Sequence, residues 1–322
     1  MSKKQAARRP GLVPWSVGIL AAITGASLLG PWWWVPALIV HFRPHLAMAS
    51  LVLLILGTMA RRPIAAALSL SMLAIHGAPL WPYLDVAGGA HAAAASNLRV
   101  FALNMHGKST DAEALRQAIE TEHPDIVVLT EMPGTIERMA HEIAGLPPYR
   151  AGEPPRSPRG VTVFSRWPIA RWTLERGPDE AARVLSADIC NQQTWRGCLR
   201  VVALHAPRPF GNGAALQKEQ LSIAAEAVSS APDRRSILAG DLNLTPWAPE
   251  FSSLLARGNL RDTGPYRGLL ATWFSRLPFV GLLIDHVLVS PDIGILANRV
   301  GADLGSDHLP VIADLTVATE PQ

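Results

Sequence analysis

No aspartate or glutamate occurs before Asp85, and from Met1 to Asn97 that residue is the only acid. Three stretches of this part, 10–42, 44–60 and 63–84, lack lysine and arginine as well. A water-soluble helical bundle shows a polar face every few residues, so the absence of charge argues against one. About 20 apolar residues cross a bilayer as a helix, and three transmembrane helices are therefore expected, the middle one near the short limit. A transporter or channel would need a charged pathway within the helices, and none is present. His41, His45 and His76 stand near the predicted helix ends, where an interfacial role is expected.

Cysteine is almost absent too. Cys190 and Cys198 are the only two, and they flank a polar, turn-like segment between the apolar runs 184–189 and 199–204. They fit a disulfide facing across a hairpin, which suits an oxidising compartment, and equally a pair of reduced buried thiols.

Basic residues are unevenly placed. Seven of the 29 lie before Asn97 against one of the 26 acids, leaving 22 basic and 25 acidic residues beyond it and a net charge of −3 there. A slightly acidic globular part excludes a broad basic surface for duplex nucleic acid, although a small basic patch stays open. Lys3, Lys4, Arg8 and Arg9 precede the first apolar stretch and Arg61 and Arg62 join the second to the third, so both clusters are expected on the cytoplasmic side. Three crossings then carry the rest of the chain out of the cytoplasm. Trp32, Trp33, Trp34, Trp81 and Tyr83 fit an aromatic belt at the outer interface. The first stretch also has the layout of a long signal peptide, and its cleavage would not change that destination. The expected organisation is a membrane anchor over 1–85, an Ala/Gly-rich linker over 86–97, and a globular domain over 98–322.

In the globular part, strand-like runs occur at 98–103, 126–129, 160–165, 184–189, 200–204, 236–239, 285–289 and 311–315. Helical spacing occurs at 111–121, 134–143 and 214–230. Several strands follow one another without a helix between them, which points to a mixed, layered α/β domain. No internal repeat is visible.

Polar residues sit at the ends of these runs: Asn104, Glu131, His205, Asp241 with Asn243, Asp285, and Asp307 with His308. Strand-end loops are where a layered scaffold presents a shared site. In Gly240-Asp241-Leu242-Asn243 a buried strand delivers a glycine, then an acid and an amide two residues apart on one side of an extended chain. Such a pair can address one phosphate, the acid activating water and the amide donating to an oxygen. An isolated Gly-Asp-x-Asn is also a common turn. Asp307 and His308 place an acid and an imidazole directly before the last core strand.

Gly-Asp-Leu-Asn at 240–243, Ser-Asp-His-Leu-Pro-Val at 306–311, Asn104 after the first strand, Glu131 after the second, Ala271-Thr272-Trp273 and Ile284-Asp285-His286 follow in order. The chain resembles the endonuclease/exonuclease/phosphatase superfamily over about 98–315, as a bacterial membrane-anchored member. The resemblance implies a four-layered α/β sandwich of two packed mixed β-sheets flanked by helices, and hydrolysis of a phosphate ester with Mg²⁺ or Mn²⁺. It implies Glu131 as principal metal ligand, with Asn104 and Asp307 on the metal side. His308 would act with Asp285, Asp241 would orient or deprotonate water, Asn243 would hold a phosphate oxygen, and His205 would stabilise developing charge. Many relatives carry a second acid where this chain has His106, which weakens any expectation of two-metal chemistry. Trp273 and His286 are expected to be packing residues, and no role is assigned to Arg183.

The expected activity is hydrolysis of a phosphodiester, in nucleic acid or in a phospholipid headgroup, by in-line water attack outside the cytoplasm. The expected partners are that substrate and the lipid bilayer, with nucleic acid as substrate only. The alternative is a catalytically silent phosphate-binding module on the same scaffold. Location in the bacterial cell membrane, multi-pass with a cytoplasmic amino terminus, completes the reading.

Overall fold

The computed structural model describes residues 11–30, 32–84, 96–107, 110–132, 145–152, 160–177, 183–277 and 280–318. The expected helix at 134–143, most of the linker and the first basic cluster lie outside them. The chain divides into two compact units, Met1–Trp81 and Pro82–Gln322.

The first unit holds α1 (Leu12–Ser27), α2 (Trp34–Val40), α3 (Arg43–Met59) and α4 (Pro63–Gly77). Three full-length crossings are not what forms. The apolar stretch 10–42 is interrupted after Ser27, where the sequence carries Gly30 and Pro31 and helix propagation fails. The 16 residues of α1 reach about 24 Å, short of a hydrocarbon core of about 30 Å. One helix, Pro63–Tyr83, is long and apolar enough to cross a membrane; α2 and α3 would make a second span only as a pair bent by 65°. Val17, Leu20, Ala65 and Met72 pack together between α1, α3 and α4. Gly57 lets α3 approach the backbone of Ala66, where a Cβ would come within 3.1 Å of its nitrogen. His76 is buried, contrary to the interfacial expectation, with Nε2 3.0 Å from Thr24 Oγ1.

The second unit contains two six-stranded sheets. In chain order the strands are β1 (Leu98–Asn104), β2 (Ile126–Thr130), β3 (Tyr149–Gly152), β4 (Val161–Ser165), β5 (Ile169–Arg176), β6 (Arg183–Asn191), β7 (Gly197–His205), β8 (Ser236–Asp241), β9 (Arg261–Asp262), β10 (Asp285–Val289), β11 (Ile293–Val300) and β12 (Val311–Val317). One sheet runs β11-β12-β1-β2-β4-β3 and the other β5-β6-β7-β8-β10-β9. Each has one parallel pair among antiparallel neighbours: β1 with β2, and β7 with β8.

Period-two alternation divides each strand between two layers. Val100, Ala102 and Val128 of one sheet face a common core with Ala187, Val201, Ala203, Ile237 and Val287 of the other. The intervening Phe101, Leu103 and Val127 turn outwards onto Leu115 and Ile119 of α5 (Ala112–Glu122). On the opposite side Val202, Leu204 and Leu238 meet Leu221 and Ala224 of α6 (Asn212–Ser229) and Phe251 and Leu254 of α7 (Pro249–Gly258). The result is helix, sheet, sheet, helix. Asp111 caps α5, its Oδ1 accepting from Glu113 N at 2.9 Å. Cys190 and Cys198 are register partners on β6 and β7 and are joined by a disulfide.

Candidate active site

Strand register brings the polar ends together. Asn104 ends β1 opposite Thr130, the residue before Glu131. His205 ends β7 opposite Asp241 at the end of β8, and Asp241 is in turn opposite Asp285 at the start of β10. Gly240 permits this close pairing, since a Cβ there would collide with the Leu204 carbonyl oxygen. Ser306 Oγ donates to the Asn104 carbonyl at 2.7 Å and accepts from His308 N at 3.1 Å, tying the last loop to β1.

Asn104 is the link between the two sheets. Its Nδ2 donates to Asp241 Oδ2 at 2.9 Å and reaches Glu131 Oε1 at 3.3 Å, while its Oδ1 accepts from His106 N at 3.0 Å. His205 Nε2 lies 3.6 Å from Glu131 Oε1 and 3.5 Å from Asp241 Oδ2. Asn243 donates its backbone N–H to Asp241 Oδ1 at 2.8 Å; its Nδ2 donates to the Ala206 carbonyl at 2.8 Å and reaches Asp241 Oδ2 at 3.3 Å. Glu131 and Asn243 hold φ of 52° and 48°. That left-handed region is easy for asparagine and strained for glutamate, and such strain gathers at functional sites.

A second cluster adjoins the first. His308 Nδ1 and Asp285 Oδ2 are hydrogen-bonded at 2.9 Å, and Nε2 of the same ring is 3.8 Å from Asp241 Oδ2. Burial by itself would lower the His308 pKa, but Asp285 and Asp241 outweigh it and raise it to about 9. Burial acts against ionisation of Asp285 as well, and the His308 charge with its hydrogen bond overrides this and holds the carboxyl low. Asp241 goes the other way: burial, then the Asp285 charge, push its pKa up. The environment therefore divides two adjacent carboxylates, one firmly ionised and one more basic.

Asp307 completes the border. Its Oδ2 accepts from Trp273 Nε1 at 3.1 Å and its Oδ1 stands 3.0 Å from His106 Nδ1. All eight expected residues thus share one region, reached from both sheets. His286 points away, its Nε2 3.0 Å or less from a backbone acceptor, the Leu244 carbonyl at 2.8 Å, with its ring on Phe251. Arg183 opens β6, its carbonyl accepting from Gln220 at 2.6 Å. Trp273 does more than pack, because its indole N–H holds Asp307. Two further residues support Asp285: Thr272 Oγ1 accepts from Asp285 N at 3.2 Å, and buried Arg267 donates to the Asp285 carbonyl at 3.1 Å. Thr272 sits in the Ala-Thr-Trp segment and was readable there, whereas Arg267, in a Gly-Pro-Tyr-Arg turn, carries no sequence mark of its burial.

The donor chemistry fits a hard divalent cation. Carboxylate oxygens are the available ligand atoms, and the basic groups within 4 Å of Glu131 and Asp241 among the described residues are imidazoles. Asp241, Asp285 and His308 also present ligand-type atoms all within 4.8 Å of one another, so this buried group could hold a metal ion.

The model of the Endonuclease/Exonuclease/phosphatase family matches residues 97–308. The chain belongs to that family. Its members are generally phosphoesterases and typically depend on divalent metal, so a hydrolase is the coarse expectation. No curated protein matches the sequence. Among solved structures, an endonuclease/exonuclease/phosphatase from Beutenbergia cavernae is similar at 23% identity and TM-score 0.56, covering 69% of this chain and 72% of that one. A mannosyl-6-phosphatase from Bacteroides thetaiotaomicron is similar at 17% identity and TM-score 0.56, covering 68% of this chain and 100% of that one. Humanized D. rerio TDP2 is similar at 16% identity and TM-score 0.56, over 68% and 99%. At these identities the likeness shows the shared two-sheet α/β sandwich of the family fold.

Proposed function

We propose that this protein is a membrane-anchored, divalent-metal-dependent phosphodiesterase whose catalytic unit faces out of the cytoplasm. The observation that carries the reading is the meeting of Asn104, Glu131, His205, Asp241, Asn243, Asp285 and His308 at strand ends of both sheets. A silent binding module would have no need of a buried carboxylate made more basic beside an imidazole held charged.

Glu131, with Asn104 and Asp307 beside it, would hold the cation, which supplies charge neutralisation at the phosphate oxygens when bound. Asp241 orients the attacking water and takes its proton, a task suited to its raised pKa. Asn104 Nδ2 and Asn243 N–H fix that carboxylate in place. The long 3.3 Å contact from Asn243 Nδ2 is the one that turns to a phosphate oxygen when substrate enters. Asp285 sets the His308 ring so that Nε2 faces the cleft, where the imidazolium stabilises negative charge developing in transfer. His205 Nε2 lies close to Glu131 and Asp241 and would act on the same developing charge from β7.

Membrane attachment rests on the first unit. Thr24, Ser27, Ser50, Ser69 and His76 are buried, while Leu12, Trp15, Ile19, Ile55, Ile64 and Leu68 are exposed, the arrangement of helices whose surroundings are apolar. The Cys190–Cys198 disulfide supports an oxidising compartment for the catalytic unit.

The test is hydrolysis of bis-p-nitrophenyl phosphate and p-nitrophenyl phosphate by the full chain in detergent, stripped with EDTA and reloaded with Mg²⁺ or Mn²⁺. Turnover of the diester that vanishes with EDTA and returns with metal is expected. Metal-independent turnover, or none from a folded and loaded chain, would overturn the reading.

A further inference from the structure

Among the described residues from Pro82 onwards, eight large apolar side chains are exposed, and five of them fall on two loops that border the site. Phe210 follows His205 on the loop leaving β7. Leu270, Phe274, Leu277 and Val280 lie on the loop that leads into Asp285, and each is more than a third exposed. This second loop is firmly based: Trp273 bridges Leu282 and His308, Ser275 N donates to the Asp307 carbonyl at 2.9 Å, and Ser275 Oγ donates to the Ser306 carbonyl at 2.9 Å. Backbone turns from Leu277 N to Phe274 O and from Val280 N to Leu277 O, each 3.0 Å, shape its tip. An apolar tip on a fixed base is costly in water, and such clusters mark an interaction surface.

Charge narrows the partner. The residues 263–284 and 206–218 contain no acid, in a globular part that is otherwise net negative, and they carry exposed Arg276 and Arg208 beside the apolar side chains. Apolar side chains with guanidinium groups and no carboxylate match the headgroup region of an anionic bilayer.

We propose that Leu270, Phe274, Leu277 and Val280, with Phe210, form a membrane-docking surface, and that the substrate is a phosphate-headgroup amphiphile presented by the bilayer. This rests on the hydrolase reading above. A polynucleotide would instead be drawn to a basic groove, and these loops are mainly apolar.

Both native cysteines are in the disulfide, so Leu277→Cys introduces a single labelling site. The full chain carrying an environment-sensitive dye there is reconstituted in vesicles of phosphatidylcholine and phosphatidylglycerol (3:1). Asp292→Cys, exposed at the other end of β10, is the control. Blue-shifted emission and at least twofold stronger quenching by spin-labelled lipid at 277 than at 292 are expected; equal quenching overturns the docking surface. Separately, Leu277→Asp/Val280→Asp should lower the ratio of vesicle-phospholipid turnover to bis-p-nitrophenyl phosphate turnover at least tenfold. An unchanged ratio, or a wild-type chain that cleaves a single-stranded oligonucleotide and the soluble diester but no vesicle lipid, overturns the substrate class. A chain that turns over neither reporter nor lipid instead refutes the hydrolase reading, while the dye still decides the surface.

Discussion

In the helical unit the interior holds Thr24, Ser27, Ser50, Ser69 and His76, and the outside holds Leu12, Trp15, Ile19, Ile55, Met59 and Ile64. In the sandwich the interior between the sheets is mainly valine, isoleucine, leucine and alanine, and one set of its buried polar groups, Asn104, Asp241, Asp285 and His308, sits at or beside strand ends. The difference teaches that burial answers to the surrounding solvent. Apolar side chains gain by leaving water, and would gain little from each other in the bilayer proposed for the helical unit. Polar groups buried in the sandwich cost free energy unless paired, and Asn104, Asp241, Asp285 and His308 are held by hydrogen bonds to one another, as the proposed chemistry requires.

Substitutions can break or sharpen this contrast. The largest effect is expected at Asp241→Ala, which should cut diester turnover about a thousandfold, roughly 4 kcal/mol of barrier, with thermal unfolding still cooperative. Next is Ile75→Asp on the exposed face of the Pro63–Tyr83 helix: a carboxylate near the centre of an inserted helix costs about 3 kcal/mol, so carbonate-resistant membrane retention should fall. Leu238→Ala, in the outer core under α6 and α7, should cost about 3 kcal/mol in denaturant unfolding. Outward-facing Leu68→Ala, by contrast, should leave the unfolding of the catalytic unit unchanged. Removing the disulfide by Cys190→Ser/Cys198→Ser opens a loop with sequence separation 8 and should cost about 2.5 kcal/mol by chain entropy, read as a lower Tm. The smallest is Trp273→Phe, which removes one hydrogen bond to Asp307, worth about 1 kcal/mol, and should lower metal affinity less than tenfold.

The site was legible because its residues mark the ends of buried strands: apolar runs of four to seven residues, each followed by an acid, amide or imidazole, stand out in a sequence. The first, second, fourth, sixth, seventh, eighth, tenth and twelfth strands were readable as apolar runs. The strand Ile169–Arg176 was not, since six of its eight residues are exposed and charge interrupts it, and neither was Ile293–Val300, whose alternation is half-hearted at Gly294, Ala297 and Asn298. Pro249–Gly258 escaped because a ten-residue helix carries only about two apolar turns. The number of crossings was misread for another reason. Hydropathy records composition over a window and is blind to the break at Gly30 and to the 65° bend before Arg43. The reach of Trp273 Nε1 to Asp307 depends on a pairing between residues 34 positions apart, which no local pattern encodes.

The central claim is that Asp241 works with a bound divalent cation to hydrolyse a phosphodiester. The most direct test is parallel turnover of bis-p-nitrophenyl phosphate by wild type and Asp241→Ala, both full-length, both loaded with Mn²⁺ and matched for folded fraction. The account predicts steady turnover in the wild type and about a thousandfold less in the variant; equal rates in the two would contradict it.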